Sequence, residues 1–136
     1  MILTLVDYFG RWINHPDATP ERKANAMVLI DKVNRLLAKA FVSGIVLPVN
    51  PNTDCCVSGE TFGGFRPQEC PQGAPHSSHK EGAGVDIFDP KNALDDWLTD
   101  ELLEEFDLYR EHPDDTKHWC HLTYRRPNSG HRTFKP

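Results

Sequence analysis

The chain has 136 residues, 38% of them hydrophobic and 26% charged, a balance that fits one soluble globular domain with a real core and excludes disorder as the default. Its formal net charge of −5 excludes the basic face with which a nucleic-acid binder displaces phosphate counterions. Acid is concentrated between Asp89 and Asp115, while the tail RRPNSGHRTFKP carries four basic side chains and reads as solvated surface.

The opening MILTLVDYFGRW is apolar but contains Asp7 and Arg11, with no basic leader and no small-residue cleavage site, so it does not read as a signal peptide. No run approaches the roughly 20 apolar residues that span a bilayer. The expectation is a soluble, monomeric product made in the cytoplasm, without membrane insertion. Leu3 to Asn14 predicts a short first helix. Thr19 as N-cap and Pro20 as first helical residue open a second one, with Ala26, Leu29, Ile30, Val33, Leu37 and Phe41 as its apolar stripe.

From Ser43 the pattern changes. GIVLPVN and DCCVSG read as short strands parted by Pro-Asn turn residues. Glu60 to Lys80 is a Gly-, Pro-, Ser- and Gln-rich loop of a length usually kept for function. AGVDIFD is a further strand, and Asp89, followed by Pro90, caps an acidic stretch that forms one helix or two, with Thr99 as the second cap. LYRE, WCHLTY and HRTFKP are the final strands. The expected class is α+β in a single domain, residues 1–136: N-terminal helices over roughly 1–42 pack on a small antiparallel sheet with long loops over 43–136. Cys55, Cys56, Cys70 and Cys120 lack Cys-x-x-Cys spacing. Reduced thiols are expected, a bridge from Cys70 to Cys55 or Cys56 is the alternative, and Cys120 reads as a buried core thiol.

The stretch HSSHKEGAGVDIFDP, His76 to Pro90, concentrates the chemistry. His79 and Asp86 are seven residues apart, a span of up to about 24 Å when extended. Two ligands of one zinc ion have donor atoms only about 3–3.5 Å apart. The chain must therefore fold back between them, and Gly82 and Gly84 sit where such a reversal needs positive φ or close approach.

The run Ser77-x-His79-x-x-Gly82-x-Gly84-x-Asp86 resembles the SxHxxGxAxD signature of the zinc D-Ala-D-Ala metallopeptidases, with Gly84 in place of Ala as a small-for-small change. WCH, residues 119–121, matches the Trp-x-His of the same signature, and GGFRP resembles the family's SGYR segment. The order of helix pair, arginine loop, acidic helix and basic tail is similar to small phage- and prophage-encoded members and covers nearly the whole chain. The resemblance implies the fold shared by these peptidases and the hedgehog signalling domain. It also implies one Zn²⁺ per chain held by His79, Asp86 and His121, with Arg66 on a substrate carboxylate, Ser77 orienting the metal site and Trp119 shielding it.

Many members place a Glu three residues before the last ligand, where this chain has His118. The candidates for general base are then His118, His112 or Glu111, or the chain has none. His76, His15 and His131 read as surface histidines. The function implied is a zinc metallopeptidase hydrolysing peptidoglycan stem peptides as a D,D- or L,D-type carboxypeptidase or endopeptidase. The alternative is a zinc-binding but non-catalytic virion or host-interaction protein. A lytic role would need a holin-like partner or a virion to deliver the protein to the cell wall.

Overall fold

Thr4 starts the first helix, α1 (Leu5–Phe9), through a reciprocal cap: its hydroxyl accepts from Asp7 N, and the Asp7 carboxylate accepts from Thr4 N. The computed structural model describes residues 2–60, 62–72 and 77–135. A short 3-10 turn, Gly10–Trp12, extends α1. Helix α2 (Pro20–Val42) begins as its sequence predicts, with Thr19 accepting from Arg22 N and Pro20 in the first turn. Its buried stripe is Ala26, Leu29, Val33, Leu36, Leu37 and Ala40. The stripe is rotated toward Leu36 and Ala40, which leaves Ile30 at its edge and Phe41 outside it, 62% exposed.

GIVLPVN does not form the strand its β-branched residues suggest. Only Asn50 is bridged, to Cys55, while Ile45 and Leu47 fold against the core and Val46 and Val49 face outward. The run meets no free sheet edge, and Pro48 has no N–H to donate to one. DCCVSG lies along the outer edge of the first strand: Val57 bridges Ile87, Phe88 N donates to Cys56 O, and Ser58 N donates to Asp86 O.

The described residues form one four-stranded sheet in the order β1-β3-β2-β4, with β1 Gly84–Phe88, β2 Tyr109–Glu111, β3 Trp119–Thr123 and β4 Thr133–Phe134. β1 and β2 flank β3 antiparallel, but β4 pairs parallel to β2, so the sheet is mixed and the all-antiparallel expectation is corrected. Strand alternation divides the sheet by chemistry. Val85, Ile87, Cys120 and Leu122 are fully buried in the cluster that also holds Tyr8, Phe9 and the α2 stripe. Asp86, Trp119, His121 and Thr123 point to the other face.

The acidic stretch forms two helices, α3 (Ala93–Trp97) and α4 (Asp100–Glu105), the second capped by Thr99 as predicted. Asp89 does cap α3, its carboxylate accepting from Leu94 N at 3.0 Å and Asp95 N at 3.1 Å. Pro90, however, lies before the helix, and Asn92 occupies the N-cap position in a left-handed conformation. Arg110, on the core side of β2, ties the sheet to α3 by donating to Asp95 O at 2.7 Å. All four cysteines are free, buried thiols, and burial pushes Cys120 well above its ordinary pKa and Cys56 up to about 12. No helix among the described residues is long and apolar enough to cross a membrane.

Asp89→Ala leaves two buried amides of α3 without an acceptor. It is expected to lower stability by about 1–2 kcal/mol, read as a shifted urea midpoint with an unchanged slope. An unmoved midpoint would mean that packing alone holds α3.

Candidate metal centre

Pairing of β1 with β3 sets Asp86 directly opposite His121, so both side chains leave the sheet on one face. His79 reaches them from the loop before β1, where the backbone winds through one tight turn: Lys80 N donates to Ser77 O and Ala83 N to Ser78 O, at 3.0 and 2.8 Å. The turn ends at Gly82, whose φ of +76° favours glycine and whose missing Cβ would stand 2.5 Å from the Arg22 carbonyl oxygen of α2. The fold-back expected between His79 and Asp86 is therefore made against the N-terminal helix.

Asp86 Oδ1 lies 3.3 Å from His79 Nε2 and 2.8 Å from His121 Nδ1. Donors on a tetrahedral ion with bonds of about 2.0–2.1 Å are about 3.3 Å apart, so the first distance already matches and the second opens by about half an ångström. His79 and His121 are buried, and Asp86 is 9% exposed. His79 Nδ1 sits 2.9 Å from the Gly64 carbonyl, which can only accept, so that nitrogen carries the proton. The lone pair of Nε2 then faces the Asp86 carboxylate, acceptor against acceptor, and only a cation between them resolves the contact. Burial lowers the pKa of His79, with the pull of Asp86 opposing. Burial pushes Asp86 the other way, but His79 and His121 together outweigh it and hold the carboxyl well below its usual range. Two imidazoles and one carboxylate, facing one another at these distances, are a donor set that fits a divalent metal.

Neighbouring groups fix these ligands. Ser78 Oγ is 3.4 Å from His121 Nε2, a contact the sequence reading missed, since nothing in the motif separates Ser78 from Ser77. Ser77 itself accepts from His79 N at 3.3 Å and shapes the ligand loop. Arg66 donates through Nε to Phe62 O at 2.6 Å and through Nη2 to Asp86 Oδ2 at 3.3 Å, so its guanidinium holds the carboxylate ligand. Trp119 is on the same face as His121 and walls the cavity above the triad, while Cys120 points into the core as expected.

That cavity has a volume of about 390 Å³. Of the three candidates for proton transfer, it brings in one. Tyr109 pairs with Thr123, and Glu111, two residues on, takes the same side of β2 and lines the cavity with Phe134. Burial pushes the Glu111 carboxyl above its ordinary pKa, with the His121 ring opposing. His112 is instead spent on a turn, its Nδ1 accepting from Asp114 N at 3.1 Å. His118 precedes β3 with a φ of 77°, which breaks the alternation, and its exposed ring lies 3.1 Å from the Pro90 carbonyl by the start of α3. Neither His112 nor His118 lines the cavity.

His15 is not the free surface histidine its sequence suggested: Nε2 is 2.9 Å from Glu69 Oε1 and Nδ1 accepts from Asp17 N. With both nitrogens committed, the His15–Asp17–Glu69 group fastens two loops. His131 is exposed as expected, and His76 lies outside the described residues. No protein-family model matches the chain, and no curated protein or solved structure is significantly similar to it.

Gly84 is more demanding than a small-for-small position. A Cβ there would lie 2.8 Å from Ser78 Cβ and 3.2 Å from His121 Cε1. Gly84→Ala is expected to cost about 1–3 kcal/mol of stability and to weaken metal retention on dialysis, measured by thermal melts and elemental analysis. An alanine variant that melts and holds metal like the parent would show that the Ser78 turn yields freely.

For the metal-free protein, the depressed pKa of His79 means that the unfolded chain binds a proton the folded chain refuses. Stability is therefore full above about pH 6.5 and falls as pH drops toward the lower folded value, while the depressed Asp86 adds a loss only below about pH 4. Chelator-treated protein is expected to lose melting temperature between about pH 7 and 5, and His79→Gln to flatten that slope. Equal slopes would assign the loss to other groups.

Proposed function

We propose that the chain is a zinc-dependent peptidase that hydrolyses peptidoglycan stem-peptide bonds. The observation that carries this reading is the buried His79–Asp86–His121 triad at the base of a cavity of about 390 Å³ that also holds an acid, Glu111. Two imidazoles and a carboxylate are a zinc donor set that leaves a position open toward the cavity. When bound, zinc supplies Lewis acidity for a peptide carbonyl and for the attacking water.

The remaining work falls to the protein. Glu111 accepts a proton from the attacking water and returns it to the leaving amine, and its raised pKa brings it closer to the neutral range where such exchange is efficient. His79 is held in one tautomer by Gly64 and Asp86 in one orientation by Arg66, so neither ligand has to reorganise as the carbonyl becomes tetrahedral. Trp119 and Phe134 present apolar walls that displace water from the scissile bond. The resemblance to small phage- and prophage-encoded peptidases supports the wall peptide as substrate and a holin or virion as the means of delivery. The competing reading, a zinc protein without catalysis, rests on the missing Glu at position 118; the presence of Glu111 in the cavity wall favours the peptidase.

Protein loaded with zinc is expected to shorten muropeptides in cell-wall digests, followed by mass spectrometry. Glu111→Gln is expected to keep about one zinc per chain while losing roughly 10²–10⁴-fold in rate. If no fragment shortens across several wall chemistries, the protein is a zinc-binding virion or host-interaction component instead.

A further inference from the structure

Two arginines line the cavity above the triad, and they are not equivalent. Arg66 has its Nε on the Phe62 carbonyl and its Nη2 on Asp86 Oδ2, with only 13% of its side chain exposed. A ligand at Arg66 would have to share a guanidinium already bonded to the carboxylate of the triad. Arg125, four residues past His121, is built differently. Its side chain is 42% exposed and forms an ion pair with Glu81 Oε2 at 2.6 Å, and Glu81 is itself 40% exposed. Half-exposed pairs of this kind are weak because water competes for both partners.

The backbones behind the pair are pinned. Arg125 N donates to Thr123 Oγ1 at 3.0 Å, and that hydroxyl donates to the Ala83 carbonyl at 2.8 Å. The Glu81 carbonyl accepts from Asn25 Nδ2 of α2 at 2.9 Å. Only the side-chain ends are left to move. Pro127 and Phe134 complete this part of the wall with apolar surface. A planar guanidinium that is fixed at its root, open at its tip and paired with an exchangeable carboxylate is suited to bidentate capture of another carboxylate.

We propose that Arg125 is the carboxylate-binding group of the cavity, and that a ligand carboxylate replaces Glu81 on its guanidinium. The ligand class is a short peptide whose free carboxylate follows a small apolar residue, which fits the walls beside Arg125. The proposal takes its choice of ligand from the peptidase reading, but its geometry stands apart from catalysis. It moves the recognition role implied for Arg66 to a residue outside the motifs and leaves Arg66 to hold Asp86.

The test is a binding titration of the zinc-loaded chain with N-acetyl-D-alanyl-D-alanine and with its C-terminal amide, followed by NMR. The acid is expected to bind about tenfold tighter than the amide, roughly what one charge-assisted bidentate contact supplies. Arg125→Gln is expected to bring the two affinities together without loss of zinc. Glu81→Gln is expected to tighten the acid severalfold and leave the amide unchanged, because it removes the internal competitor. An acid preference that survives Arg125→Gln, as direct carboxylate ligation of the metal would give, overturns the proposal, and so does failure of both probes to bind. Hydrolysis is scored separately. An Arg125-dependent preference without cleavage of either the probes or muropeptides leaves the proposal standing and removes the peptidase reading, whereas cleavage with the preference intact in Arg125→Gln does the reverse.

Discussion

The antiparallel pairing of β1 with β3 places Asp86 opposite His121, and the candidate metal centre depends on that register. A slip of β1 by one residue against β3 would turn Asp86 into the face packed on α2, away from His121, and put Ile87 into the cavity. The core guards against this. Val85, Ile87, Cys120 and Leu122 are fully buried, so a one-residue slip of β1 would expose Val85 and Ile87 and bury the Asp86 charge at once. Hydrophobic burial on one face of the sheet thus holds a polar constellation in place on the other.

The helices contribute more than a lid for the core. Tyr8 of α1 donates its hydroxyl to the Gly84 carbonyl at 2.9 Å and accepts from Phe65 N through its own carbonyl, so it links β1 to the arginine loop. From α2, Arg22 backs the Gly82 turn and Asn25 holds the next carbonyl along. His79 belongs to no strand or helix, yet it is placed as firmly as the two ligands that do. Its position comes from three directions: the turn behind it, the Gly64 carbonyl at its Nδ1, and the carboxylate at its Nε2.

How far the sequence could be read follows from the range of each interaction. The caps at Thr4, Thr19 and Thr99 are contacts between residues three apart. Of these, Thr19 and Thr99 were legible together with the helices they open. The candidate triad was legible through resemblance, because Ser77-x-His79-x-x-Gly82-x-Gly84-x-Asp86 and WCH match the two halves of one family signature, whereas the spacing of His79 and Asp86 alone is common in loops. Which of Glu111, His112 and His118 lines the cavity was not legible, because it turns on where β3 begins and on the positive φ of His118, features that the run EHPDDTKH does not announce. GIVLPVN has strand composition without a strand, since pairing needs an edge that composition cannot supply. The parallel seat of β4 beside β2, the pairing of Arg66 with Asp86 and the contact of Ser78 with His121 all join segments distant in the chain, and no local pattern encodes them.

The order in which the ligands occur along the chain has a consequence for assembly. His121 follows Asp86 by 35 residues and lies on the strand that β1 and β2 both need as a neighbour. At a synthesis rate of about 5–20 residues per second, roughly 2–7 s separate the two ligands on the ribosome. For that interval a nascent chain offers a metal ion only His79 and Asp86, with no sheet to hold them at bonding distance. An ion held by this triad would therefore be captured by the finished domain, as a late check on a completed fold rather than as a seed for it.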